Sequence, residues 1–144
     1  SVLPAIMFWA LFNVIGFYLP RLVSSYLPSS YYYTAEITLI GKNQFKPCDT
    51  IQYLVDRNSR VSSPATFYDF LVYIDPKHGE KMVWKYTGQG TVENTGERRI
   101  FREMKIPCEA PSGTYLIRRQ VAFEVDQQHK VYEYRSSPIS ISSD

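Results

Sequence analysis

Few side chains in this chain could do covalent or metal chemistry: two histidines, His78 and His129, and two cysteines, Cys48 and Cys108, among 144 residues. The histidines fall in separate turns of the pattern read below, at opposite ends of the strands. Neither a His-based triad nor a zinc site is therefore expected from them. No G-x-S-x-G, H-E-x-x-H or phosphate-loop motif occurs. The glycines of TGQGTVENTGE (87–97) lack the strand-to-helix context of a nucleotide site. Carboxylates such as Asp69 and Glu103 stand singly on strands, without the paired arrangement that glycoside hydrolysis requires. The expectation is a non-enzymatic protein with no cofactor, no metal and no small-molecule substrate.

The elements that would position these residues are strands. From Tyr31 onward, short segments of alternating polarity are separated by turn signals, and none has a helical period. The reading is A at 34–40, B at 50–56, C at 66–74, C′ at 80–87, E at 98–106, F at 114–125 and G at 130–142. About seven strands in some 110 residues predict an antiparallel β-sandwich of immunoglobulin-like or fibronectin III-like architecture. Pro138 interrupts G and predicts an edge position or a bulge where the inward parity switches.

Alternation then selects a core. It comprises Ile51, Tyr53 and Val55 on B; Phe70, Val72 and Ile74 on C; Ile100, Met104 and Ile106 on E; and Tyr115, Ile117, Val121, Phe123 and Val125 on F. Trp84 is either a core plug or a covered surface residue. Arg102 and Arg119 fall on inward registers, which calls for a bulge, for snorkelling near a strand end, or for an interface role.

Strand order brings the cysteines together. Cys48 precedes B and Cys108 follows E; B and E are antiparallel neighbours in such a sandwich, so both lie at one pole, within reach of a disulfide. A disulfide places the domain on an oxidising side, periplasmic, lumenal or extracellular. Asn-x-Ser/Thr sequons are absent.

Ahead of the strands stands VLPAIMFWALFNVIGFYLP, with no charge before Arg21. An uncharged run from Val2 to Leu19 is near the lower limit for crossing a hydrocarbon core of about 30 Å. It is apolar all round, which suits lipid or partner helices better than the surface of a globular core. A cleavable signal would show a basic start and a small-residue cleavage site, and neither is visible. Residues 1–28 are therefore expected to be an N-terminal transmembrane anchor helix and 29–144 the sandwich, with a helix buried among partner subunits as the alternative. A start at Ser1 fits a short cytoplasmic leader that was removed or lies upstream. Trp9, Tyr18 and Arg21 are expected at the interfaces. Asn13, at mid-depth, is satisfied either by local backbone or by a neighbouring helix.

With the helix end at the membrane, loops 57–65, 88–97 and 126–129 become proximal, bringing Arg57, Arg60, Arg98, Arg99 and Lys130 near headgroups. The distal loops present Lys42, Phe45, Lys46, Lys77 and His78 as a basic and aromatic tip, the candidate partner-binding surface. A net charge of +2 is too small to argue for nucleic acid. The expected partners are a lipid bilayer and other protein subunits, in a structural or adhesive accessory role within a membrane-associated assembly. The alternative role is a bacteriophage virion or filament component whose helix packs on its neighbours.

Overall fold

The computed structural model describes residues 2–92 and 96–143; several side chains of the first helix, Tyr18 and Arg21 among them, lie outside the described residues. Helix α1 (Leu3–Tyr26) has a proline in its first turn, where a missing N–H costs nothing. Its backbone runs on past Pro20 and stops at Leu27, which is extended with ψ 134° and donates its N–H to Val23. A single turn, α2 (Ser29–Tyr32), follows and leads straight into the first strand. Among the described residues, no helix is long and apolar enough to cross a membrane.

The strands are β1 (Tyr33–Leu39), β2 (Gln44–Phe45), β3 (Thr50–Ser59), β4 (Ser63–Asp75), β5 (Gly79–Val92), β6 (Gly96–Lys105), β7 (Gly113–Val125), β8 (Gln128–Arg135) and β9 (Ile139–Ile141). One sheet has the order β1-β3-β6; the other has β2-β9-β7-β4-β5, with β8 also on β7. Neighbours are antiparallel except β2 and β9, which run parallel. The inner faces of the two sheets share one core cluster that joins Ile51, Tyr53 and Val55 to Leu71, Ile117 and Val121. The domain is thus a β-sandwich, as expected. It is built from more strands than expected because the 41–49 loop contains β2 and the last strand is two. The break at Pro138 separates β8 from β9, and the register against β7 slips by one residue between them. Inward parity switches with it, from Tyr132 and Tyr134 to Ile139 and Ile141.

The alternation on β3, β6 and β7 reads as expected: Ile51, Tyr53, Val55, Met104, Ile106, Tyr115, Ile117, Val121 and Phe123 are buried, and Ile100 and Val125 pack against them. Strand β4 is the correction. Its inward face is Ala65, Asp69 and Leu71, flanked by the half-buried Phe67 and Tyr73. Phe70 and Val72 point the other way and form a separate small cluster with Leu116, with Ile74 at its rim. They are buried there because Lys85 and Arg118 lie over the Phe70 ring, at 6.0 Å and 4.8 Å from its centroid. Long cationic stems thus cover apolar surface on an outer face.

Two further positions depart from the sequence reading. Arg57 is not in a proximal loop: β3 extends to Ser59 and turns Arg57 inward, 5% exposed. Phe45 belongs to β2 and is buried in the core.

At the far pole from the helix, Cys48 and Cys108 form the disulfide, their Cα atoms 4.3 Å apart. Beside it, the N–H of Ile106 donates to the carbonyl of Asp49. The bridge closes a separation of 60 residues, which contributes about 4 kcal/mol by restricting the unfolded chain. Cys108→Ser together with Cys48→Ser should lower the urea midpoint by that stability while leaving the far-UV circular dichroism of the folded state unchanged.

Candidate functional site

The inner faces carry a row of polar side chains where the pattern calls for apolar ones. On the large sheet, Asp69 pairs in register with Arg119 on β7 on one side and with Tyr86 on β5 on the other. On the small sheet, Tyr53 pairs with Arg102 on β6. The two rows face each other, and the Tyr53 hydroxyl donates to Oδ2 of Asp69 at 2.7 Å across the sandwich. Nε of Arg119 lies 3.3 Å from Oδ1 of Asp69, with both side chains almost fully enclosed. The guanidinium sits 5.0 Å from the Phe67 ring centroid, an additional cation–π contact.

Arg119 therefore neither snorkels out nor is re-aimed by a bulge. It is a core residue, and its parity was right. Burial alone would lower its pKa; Tyr134, Asp69, Tyr33 and Tyr53 more than offset this, and the net shift is upward. The tyrosines respond in kind. Burial, then the charge and hydrogen bond of Asp69, push the Tyr53 phenol far above its ordinary range. Burial also raises Tyr134 and Tyr33, against the pull of Arg119.

This row borders a cleft between the two sheets. Strands β5 and β6 are each the last of their sheet and are not hydrogen-bonded to one another. Between them lies a cleft of about 380 Å³ with Tyr53 and Asp69 at its floor, Trp84 and Tyr86 on one wall and β6 residues 101–103 on the other. The Trp84 and Tyr86 rings are near-parallel, 8° apart, with centroids 6.3 Å from each other. Trp84 is half-buried, whereas Tyr86 and Phe101 are exposed. Sequence reasoning missed this cleft, although Trp84 and Tyr86 two residues apart in a strand were its one available sign.

The residues singled out from the sequence are distributed as follows. Lys42 is exposed, forms a 3.7 Å ion pair with Asp49 and lies over the Phe45 ring. The backbone N–H of Lys46 donates to the Asp49 carboxylate. Lys77 and His78 sit in the β4–β5 turn, where Asp75 accepts from both backbone N–H groups and pairs with the His78 ring at 3.3 Å. The N–H of Lys77 leads the causes that hold the Asp75 carboxyl below its usual range. With Phe45 withdrawn into the core, the tip is basic but not aromatic, and no described contact joins its two halves. Trp9 is exposed, and the Asn13 amide donates to the carbonyl of Trp9 at 2.9 Å, the local satisfaction open to it.

At the other pole, Lys130 donates to the carbonyl of Leu27, and Arg60 stacks on Tyr31 at 4.5 Å. Arg99 pairs with Asp56 at 2.7 Å. His129 pairs in register with Glu124, at the opposite end of the sheet from His78. Among the described residues, no group of three or more His, Cys, Asp or Glu could hold a metal ion.

No family model and no curated protein sequence matches the chain. Solved structures do resemble it. The C-terminal domain of Wzt is 11% identical, with 78% of this chain and 74% of that one aligned and a TM-score of 0.54. The Pseudomonas fluorescens alkylpurine DNA glycosylase AlkC, bound to DNA containing an abasic site analog, is 9% identical over 75% of this chain and 30% of that one, with a TM-score of 0.52. The Bacillus subtilis sporulation control protein Spo0M is 12% identical, with a TM-score of 0.49; the match takes in 78% of this chain but only half the length of Spo0M. At these identities, the likeness to Wzt and AlkC shows the fold alone.

Two outcomes follow from the buried row. Arg119→Met or Asp69→Leu alone strands a charge and should cost about 3–5 kcal/mol, whereas the double variant should cost much less than their sum, read from a double-mutant cycle in urea. Tyr33, Tyr53 and Tyr134 have raised pKa values in the fold, so the native state holds protons that the unfolded chain releases. Their stabilisation is complete below pH ~10 and is lost as pH rises beyond it, at up to roughly 1.4 kcal/mol per pH unit for each tyrosine. Urea midpoints measured from pH 8 to 11 should therefore fall steeply only at the alkaline end.

Proposed function

We propose that the chain is a non-enzymatic, membrane-anchored sandwich that serves as a structural or adhesive accessory subunit, held with its β domain on the oxidising side. The observation that carries this reading is α1. Among the described residues α1 is not long and apolar enough to cross a membrane, but its exposed side chains include Leu3, Ile6, Phe8, Leu11, Phe12 and Ile15, apolar surface that lipid can cover without being crossed. These leave every side of the helix apolar, so a globular surface could satisfy only part of it. Local satisfaction of Asn13 by Trp9 removes the need for a polar partner helix. The disulfide supports an oxidising location.

The same proposal takes the domain as immunoglobulin-like or fibronectin III-like. Supporting this are the strand order, β1-β3-β6 against β5-β4-β7-β8, and the Tyr115 hydroxyl. That hydroxyl donates back to the carbonyl of Pro111, four residues upstream at the start of β7, in the manner of a tyrosine corner. The helix end is tied to the sandwich by Lys130 and Arg60, which favours a domain set close to the membrane over one on a loose tether.

Sodium carbonate extraction of native membranes at pH 11 tests the anchor. The chain should stay in the membrane pellet. Quantitative release, together with partner subunits, would instead favour the virion or filament reading, in which the helix packs on protein.

A further inference from the structure

The cleft between the open edges of β5 and β6 has no part in the anchor or the disulfide and borders the core at Tyr53 and Asp69, yet it carries the features of a ligand site. Its volume of about 380 Å³ falls within the roughly 300–1,000 Å³ typical of small-molecule clefts. Its walls are aromatic. Tyr86 and Phe101 remain 45% and 52% exposed, although Tyr86 lies on the inward parity of its strand, where a closed sandwich would cover it. The near-parallel Trp84 and Tyr86 rings bring two aromatic side chains to one wall.

The floor is polar and incompletely satisfied. Asp69 is 3% exposed, and its Oδ1 accepts no hydrogen bond although it faces the Arg119 charge. Nε of Arg102 donates none. Both atoms are themselves enclosed, but Arg102 is partly exposed and Glu103 exposed along the cleft's other wall, so a donor and an acceptor side chain face a ligand there.

Charge narrows the chemistry. Arg102 and Arg119 formally balance Asp69 and Glu103, so the cleft favours neither an anion nor a cation. A fitting ligand is neutral, presents C–H groups to an aromatic face, and carries groups that both donate and accept. An aromatic face is the negative side of its quadrupole, and the polarised C–H groups of a pyranose ring are positive. A sugar hydroxyl can donate to a carboxylate while accepting from a guanidinium. We propose that this cleft binds a neutral saccharide, a sugar ring packed against the Trp84–Tyr86 wall with hydroxyls directed at Arg102 and Glu103. The inference stands on the sandwich alone and does not rest on the membrane anchor.

The test uses the full chain in a detergent without a sugar headgroup, since a maltoside would compete. Trp9→Phe leaves Trp84 as the single tryptophan. Its fluorescence is followed while neutral hexasaccharides of glucose, mannose, galactose and N-acetylglucosamine are added one at a time. At least one should give a saturable change. Tyr86→Ala should weaken that binding about tenfold, Tyr86→Phe should preserve it because the ring remains, and Lys77→Ala in the far turn should leave it unaltered. A sulfated form of the same glycan should bind more weakly. A flat response to all four glycans would overturn the proposal, as would binding that Tyr86→Ala leaves unaltered.

Discussion

The sandwich is organised around a charge in its centre. Arg119 on β7 is held by Asp69 on the neighbouring β4, and Asp69 is held in turn by Tyr53 from the opposite sheet. A guanidinium in the core would be prohibitive without a carboxylate at hand, and a carboxylate there needs donors beyond one arginine. The three residues therefore depend on one another, and together they fix how the two sheets lie. A slip of one residue on β3, β4 or β7 would send one partner outward and leave the others buried without it. An apolar core of the same volume would tolerate such slips better, which identifies the row as a device that sets register.

How much of this the sequence disclosed varied strand by strand. Strands β3, β6 and β7 have polar residues on one face, so their alternation was readable. Strand β4 has apolar residues on both faces, TFYDFLVYI, and parity alone could not choose between them. The choice depended on Asp69, whose burial makes sense only when Arg119 and Tyr53 stand beside it. The same missing partner made Arg119 look like an exception. Phe45 was misread as a tip residue because the parallel pairing of β2 with β9 is too short to leave a periodic signal. The cysteines were legible because their proximity needs only strand order, not side-chain detail.

Two parts of the surface remain outside the logic of the core. One is the helix, whose last carbonyl region and following turn are tied to β8 and to the β3–β4 connection through Lys130, Arg60, Tyr31 and Tyr32. The other is the open side between β5 and β6, where a cleft lined by aromatic and charged side chains borders the polar row of the core. The first relates the domain to whatever receives the helix; the second gives it a recessed, chemically defined face. In the proposed account, the sandwich is a rigid frame that holds these two features apart.

In the proposed arrangement, α1 lies in a bilayer while the disulfide pole stands clear of it. Nitroxide labels placed at Phe12→Cys and, separately, at Lys77→Cys in the disulfide-bonded chain, reconstituted into liposomes, address it directly. The label at position 12 should be relaxed strongly by oxygen and weakly by a water-soluble nickel chelate, and the label at position 77 should show the reverse. Equal nickel accessibility at both positions would contradict it.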